Sequence, residues 1–260
     1  MSSCVNSLNP FYKKITNMLG IVEVFRKITS EECREEGDLE TYPKMIVPKF
    51  RWKAFAMSKS RLEIVLDKLK KKGRPNSRLE QHRTPGWIAA DMIWMAKERG
   101  FIDGAKILDL GSGDGVLCIG SLLAGASSCI SLEIDDESIE VQISNIRELG
   151  IEGQVDVVRA DVRYYPFRNN FCDLAIINPP FGTVERGIDL EFLIAATKSC
   201  NATLSLHLSN DKSRDFISRE MEKIGKKAVI LKTYKMELKQ IFEYHKSRIR
   251  RIDVDLYLVK

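Results

Sequence analysis

From Lys106 onward, short β-branched runs alternate with longer segments whose apolar residues recur near helical spacing. The runs are Lys106–Leu110, Ser128–Ile134, Val155–Val158, Asp173–Ile177, Ala202–Leu208, Ala228–Lys232 and Val254–Val259. Between them lie Val116–Ala124, Asp136–Leu149, Ile188–Lys198 and Ser213–Ile224. A strand has a side-chain period of 2 and a helix one of 3.6. Their regular alternation implies βαβ units and a mainly parallel sheet. The first runs are apolar throughout, as strands covered by helices on both faces must be. The last differs: Asp253 and Asp255 alternate with Ile252, Val254 and Leu256, which suits an antiparallel strand near an edge.

Upstream, Ile88–Lys97 reads as a helix, and Ser60–Lys72 as another with Leu62, Val65, Leu66 and Leu69 on one face. Residues 1–56 show no strand–helix alternation and carry a charged patch, Glu31–Glu40, whereas Met57 directly precedes a sensible first helix. We therefore expect a core domain over 57–260 and an N-terminal extension over 1–56, or an upstream misassigned start. No apolar run reaches the roughly 18 residues that span a bilayer, and the first twenty residues lack a secretory pattern. The six cysteines are scattered without a CxxC pair, which argues against a zinc site or a disulfide framework and for a reduced, cytoplasmic protein. The net charge of +5 permits a nucleic-acid partner without requiring one.

The strongest local signal is ILDLGSGDGVLCIG, in which a strand runs into Gly111, Gly113 and Gly115 and a helix follows. Glycines there permit positive φ and let a ligand lie against the backbone. A dinucleotide fingerprint requires a third glycine where this chain has Val116. G-x-G-x-G suits a ligand with no pyrophosphate to seat, such as S-adenosylmethionine. Glu133, ending the second strand, can accept both hydroxyls of a ribose. Asp161, following the third strand, can take the exocyclic amine of adenine. Both lie at carboxyl ends of parallel strands, where such sheets bind ligands.

ILDLGSGDG, LEID, RAD and INPPFGT, in that order, resemble a Rossmann-type, class I methyltransferase of the amino-methylating class. LEQHRTPGWIAADM, SLHLS and YHKSRIRRIDVDL narrow the resemblance to ribosomal RNA adenine-N6 methyltransferases of the methyltransferase-like 5 type, archaeal relatives included. It covers about 57–260. It implies a Rossmann-like α/β fold with a seven-stranded, mostly parallel sheet and helices on both faces. It further implies S-adenosylmethionine as cofactor, with Gln81 and Thr84 lining its pocket beside Gly111, Gly113, Asp114, Gly115, Glu133 and Asp161. Small-subunit ribosomal RNA is the implied substrate. Eukaryotic relatives pair with a small zinc-containing activator protein at the sheet edge, a candidate partner here. The chain departs from the pattern at His82-Arg83, where relatives commonly carry Tyr-Pro; this changes the rim of the pocket.

The chemistry of the class explains IINPPFGT, where an apolar strand drives into two prolines. An exocyclic amine is a poor nucleophile because its lone pair is delocalised into the ring. The Asn178 side-chain carbonyl and the Pro179 backbone carbonyl can accept its two N–H bonds and leave the lone pair facing a methyl donor. Pro179 and Pro180 stiffen the backbone, and Phe181 can stack on the flipped-out base. No strong base is required before attack, so a catalytic histidine is not expected. His207 reads as a packed or hydrogen-bonded residue and His245 as one facing solvent or RNA.

Positive charge gathers in Lys59–Arg74 and in a tail holding Lys235, Lys239, Lys246, Arg248, Arg250 and Arg251, with Phe242, Tyr244 and His245 interleaved. Such mixtures suit a phosphate backbone and an unpaired base, though a solvated helix face has the same composition. Alternative functions are a protein glutamine N5-methyltransferase acting on release factors, a DNA adenine methyltransferase, and a non-catalytic S-adenosylmethionine-binding RNA assembly factor. Phe181 and the basic tail favour RNA over the first, and the intact Asn178–Phe181 tetrad argues against the last.

Overall fold

The structure, a computed structural model, describes residues 57–165, 167–239 and 249–260. The expected extension over 1–56 lies outside the described residues, as do Phe242, Tyr244, His245, Lys246 and Arg248 of the tail. One sheet contains β1 (Lys106–Leu110), β2 (Ser128–Glu133), β3 (Val155–Arg159), β4 (Cys172–Ile177), β5 (Cys200–Leu208), β6 (Ala228–Lys239) and β7 (Ile249–Val259). Their order is β3-β2-β1-β4-β5-β7-β6. β1 to β5 pair in parallel, and β7 inserts antiparallel to both β5 and β6. The helices are α1 (Lys59–Lys68), α2 (Gly86–Glu98), α3 (Val116–Ala124), α4 (Asp136–Leu149), α5 (Ile188–Ser199) and α6 (Asp211–Lys223).

Period 2 divides the sheet's side chains between two cores. Ile107, Leu174, Ile176 and Leu204 pack against Leu62 and Leu66 of α1, Ile93 of α2 and Ile119 of α3. Leu108, Leu110, Ala175 and Ile177 pack on the opposite face with Ile188 and Phe192 of α5. Helices therefore cover both faces, as the apolar runs require. The chain winds outward from β1 through β2 to β3 and returns to the other side of β1 as β4. Gly111 and Asn178 consequently leave neighbouring strands at the same end, in the crevice where such sheets bind ligands.

Three elements differ from expectation. The helix expected over Ser60–Lys72 ends at Lys68, and Leu69 turns extended. Its continuation is captured by Asn145 of α4, which accepts from the Lys70 N–H (2.8 Å) and donates to the Lys70 carbonyl (3.1 Å). β6 runs on past Lys232 to Lys239 because Tyr234 and Met236 are buried while Lys235 and Glu237 face outward, a half-buried alternation with few β-branched residues. β7 is antiparallel and next to the edge, as its alternation suggests, but its Asp255 is fully buried. Arg214 donates to Asp255 from Nε (2.7 Å) and Nη2 (3.1 Å), and the Thr233 hydroxyl donates at 2.6 Å. Burial pushes this carboxyl's pKa up, but the Arg214 and Thr233 hydrogen bonds outweigh it and leave the pKa below the usual value.

Candidate active site

The loop after β1 has the conformation its glycines suggest: Gly111, Gly113 and Gly115 have φ of 69°, 56° and 84°. The Gly111 N–H donates to the Leu132 carbonyl (2.7 Å), fastening the loop to β2. The three glycines serve different ends. A Cβ on Gly111 would lie 2.8 Å from the Phe192 ring, and one on Gly115 would lie 2.7 Å from the Gln142 side chain. A Cβ on Gly113 would meet nothing within 4 Å. Gly113 lines the cleft between the loop and the strand ends, so its bareness keeps room for a ligand and not for packing. Gly115 ends the loop as the N-cap of α3 and does not line that cleft.

Glu133 and Asp161 both line the cleft. Glu133 accepts backbone N–H bonds from Gly113 (2.8 Å), Ile134 (2.9 Å) and Asp135 (3.0 Å). Burial raises its pKa against the pull of those bonds. The Asp161 side chain accepts from the Arg163 N–H (2.9 Å), and both its oxygens face the Arg163 guanidinium. These bonds outweigh burial and lower its pKa. Arg163 also donates to Glu185 (3.3 Å), beyond the Asn-Pro-Pro-Phe turn. Gln81 accepts from Asn76 N–H (2.8 Å) and from Lys72 Nζ (3.1 Å), and donates to Ser138 Oγ (3.3 Å). Lys72 also bonds Asp135 (2.8 Å); burial opposes this, yet the Asp135 carboxyl is held down at about 2.

The turn after β4 carries the most informative geometry. The Asn178 Nδ2 donates to the His82 carbonyl (2.9 Å) and to Thr84 Oγ1 (3.0 Å). Its Oδ1 is buried and has no hydrogen-bond partner among the described residues. Two acceptors thus fix the amide and leave a free carbonyl oxygen on a residue that lines the cleft. Pro180 lines it too, while Pro179 is buried behind. Phe181 is buried and does not line the cleft; its ring stacks on His82, with centroids 5.7 Å apart and planes at 22°. Burial lowers the His82 pKa, and Glu80 pulls it the other way. The Arg83 guanidinium pairs with Asp114 and donates to the Leu66 carbonyl (2.9 Å). The two residues that depart from the family pattern therefore have definite partners, His82 on Phe181 and Arg83 on Asp114. Burial raises the Asp114 pKa against Arg83.

The structure thus brings Gln81, Thr84, Gly111, Gly113, Asp114, Glu133, Asp161, Asn178 and Pro180 to one cleft. Three further residues there were not singled out from sequence. Asp109 is buried, its Oδ2 accepts from the Cys118 N–H (3.0 Å), its Oδ1 has no partner among the described residues, and burial pushes it up to about 8. An aspartate inside the apolar run KILDL was its signal. Glu80 and Arg163 had none, because their roles depend on a left-handed backbone and on a short-range ion pair. His207 is buried, 2.8 Å from Ser205 Oγ and 3.4 Å from Asp189 Oδ2, as a packed, hydrogen-bonded histidine.

A 3-2-1-4-5-7-6 sheet with a glycine loop after β1 and acids at the ends of β2 and β3 defines a class I, S-adenosylmethionine-dependent methyltransferase. The family model described as Conserved hypothetical protein 95 matches residues 86–235. The uncharacterized protein MJ0284 of Methanocaldococcus jannaschii is 32% identical over 213 residues, covering 78% of this chain and 94% of the relative. The rRNA N(6)-adenosine-methyltransferase Mettl5 of Drosophila melanogaster is 32% identical over 190 residues, 71% of this chain and 87% of its own. A solved structure, the candidate RNA methyltransferase PH1948 of Pyrococcus horikoshii, is 36% identical with a TM-score of 0.70, covering 78% of this chain and 95% of that one. The chain belongs to the Conserved hypothetical protein 95 family and, with these relatives, to the METTL5 group of methyltransferases.

Proposed function

We propose that this chain methylates the exocyclic N6 amine of an adenosine in ribosomal RNA, with small-subunit RNA as substrate and the cytoplasm as its setting. The observation that carries this reading is the Asn178 amide, whose two donor bonds are spent on His82 and Thr84 while its oxygen is left without a partner. Relatives matched over 87–97% of their own length carry rRNA N6-adenosine methylation in their names. Among the described residues no helix is long and apolar enough to cross a membrane.

S-adenosylmethionine, when bound, supplies a methyl group on a sulfonium centre. The protein's residues fit it: Gly113 leaves the loop open, Glu133 can accept ribose hydroxyls, and Asp161 can accept the adenine amine once Arg163 turns aside. Gln81 and Thr84 complete that side of the cleft. At the target base, Asn178 Oδ1 accepts one N–H of the amine and the Pro179 carbonyl accepts the other. This orients the nitrogen lone pair, which supplies rate acceleration by positioning and electrostatics. Phe181 becomes the base's platform when His82 yields its place on the ring. The amine loses a proton only after it becomes cationic, so no side-chain base need activate it.

The proposal includes a small activator protein at a sheet edge, for which β3 and β6 are the two edge strands. The test is methyl transfer from labelled S-adenosylmethionine to purified ribosomal RNA, with and without such a partner, followed by nucleoside analysis. Label recovered as N6-methyladenosine in small-subunit RNA is the expected outcome. Label on protein, or on another position of the base, overturns it.

A further inference from the structure

Glu80 lies in the segment that faces the clamp, and three features set it apart. Its backbone is left-handed, with φ of 48°, a conformation residues bearing a Cβ rarely adopt. Its side chain is 5% exposed although it lines the cleft. Its Oε1 accepts the backbone N–H of Val184, three residues beyond Phe181, while Oε2 is buried with no partner among the described residues. Backbone strain persists where surroundings impose it, often at functional sites, and a buried carboxylate oxygen without a donor is costly. The structure therefore holds an acceptor in readiness for a donor that a bound molecule must bring.

Position identifies which molecule. Glu80 is bonded to the chain just after the clamp, and His82, two residues on, stacks on Phe181. Given the function proposed above, on which this inference rests, that is where the target nucleoside is held. An adenosine within an RNA chain offers two kinds of donor: the N6 amine and the 2′-hydroxyl, its 3′ oxygen being esterified. Asn178 and Pro179 take the amine. We propose that Glu80 accepts a hydrogen bond from the 2′-hydroxyl of the target adenosine and so selects ribonucleotides over deoxyribonucleotides. The 2′-hydroxyl is the group by which a protein distinguishes RNA from DNA at a single position.

The test uses the full chain, with its activator if activity requires one. The substrate is a short RNA spanning the adenosine it methylates, made with adenosine or 2′-deoxyadenosine at that one position. For the wild type, deoxy substitution lowers kcat/KM on the order of 10- to 100-fold, as loss of a hydrogen bond to a charged acceptor predicts. In Glu80→Ala, activity on the adenosine substrate falls to the deoxy level and discrimination drops below about 2-fold, the mark of a lost hydrogen bond. Glu80→Gln keeps a carbonyl for Val184 and is read in the same way should the alanine variant fail to bind S-adenosylmethionine; its discrimination shrinks several-fold. An unchanged ratio in the variant that binds cofactor, an equal loss on both substrates, or no discrimination by the wild type overturns the assignment. A wild type that methylates no RNA overturns the proposed function, and this inference with it, before any variant is made.

Discussion

Thr84→Val separates two roles that one threonine could play. The resemblance places Thr84 against the cofactor, whereas the structure spends its Oγ1 on the Asn178 amide, at 3.0 Å. Valine keeps the shape and removes the acceptor. The amide is then oriented by the His82 carbonyl alone, at 2.9 Å. A neutral hydrogen bond contributes about 0.5–1.5 kcal/mol net. The preference for the productive amide orientation falls by that amount, and the methyl-transfer rate by roughly 2- to 12-fold at 1.36 kcal/mol per decade. Because the loss acts through Asn178, S-adenosylmethionine affinity stays within about 2-fold, less than the cost of a direct hydrogen bond. The assay is single-turnover methyl transfer to ribosomal RNA at saturating cofactor, paired with calorimetric cofactor titration, and Thr84→Ser as the variant that restores the hydroxyl. A weakened cofactor affinity with an unchanged single-turnover rate refutes the reasoning, as does Thr84→Ser being no better than valine.

The pKa of Asp109, pushed up to about 8 by burial, ties stability to pH. A folded value above the ordinary carboxylate value, about 3.9, means the folded state holds a proton that the unfolded chain releases. Its stabilising effect is full below about pH 4 and is lost as pH rises towards about 8, so Tm declines across that window, and Asp109→Asn flattens the decline; identical slopes in thermal melts would show that Asp109 is not protonated in the fold. Gly113→Ala and Gly111→Ala share the backbone cost of a Cβ at positive φ, about 1–2 kcal/mol, but the Gly113 Cβ meets no atom within 4 Å and its main effect is to abolish cofactor binding, whereas the Gly111 Cβ is also driven against Phe192 and lowers Tm further. Similar Tm losses in both variants would remove the distinction drawn between these glycines. Arg163→Ala frees both oxygens of Asp161, so cofactor affinity rises in calorimetry; a fall would mean that the guanidinium itself holds the ligand.

The sheet was legible because burial on both faces leaves a strong apolar signature: the run KILDL is β1 residue for residue, and the run DLAII is β4 without its first residue, Cys172. Loop residues were legible where the backbone takes positive φ, as at Gly111 and Gly113, or where two prolines follow an apolar strand, as at Asn178. What escaped the sequence depends on tertiary pairing. The stop of α1 at Lys68 is made by Asn145, 75 positions from Lys70, and no local propensity encodes it. Burial of Asp255 requires Arg214 and Thr233 from two other elements. The His82–Phe181 stack, which covers the expected base platform, joins residues far apart in the chain. Glu80 was least legible, since neither its left-handed backbone nor its bond to Val184 leaves a trace in composition or periodicity.

The central claim is that Asn178 presents its free oxygen to an adenine amine. It is tested most directly by comparing wild type and Asn178→Ala in methyl transfer from labelled S-adenosylmethionine to ribosomal RNA, with cofactor binding measured alongside. The account predicts N6-methyladenosine from the wild type and a loss of roughly 100- to 1,000-fold in the variant, the scale seen when one preorganised polar partner of a transition state is removed, with cofactor binding retained. A variant that labels RNA as well as the wild type would contradict it.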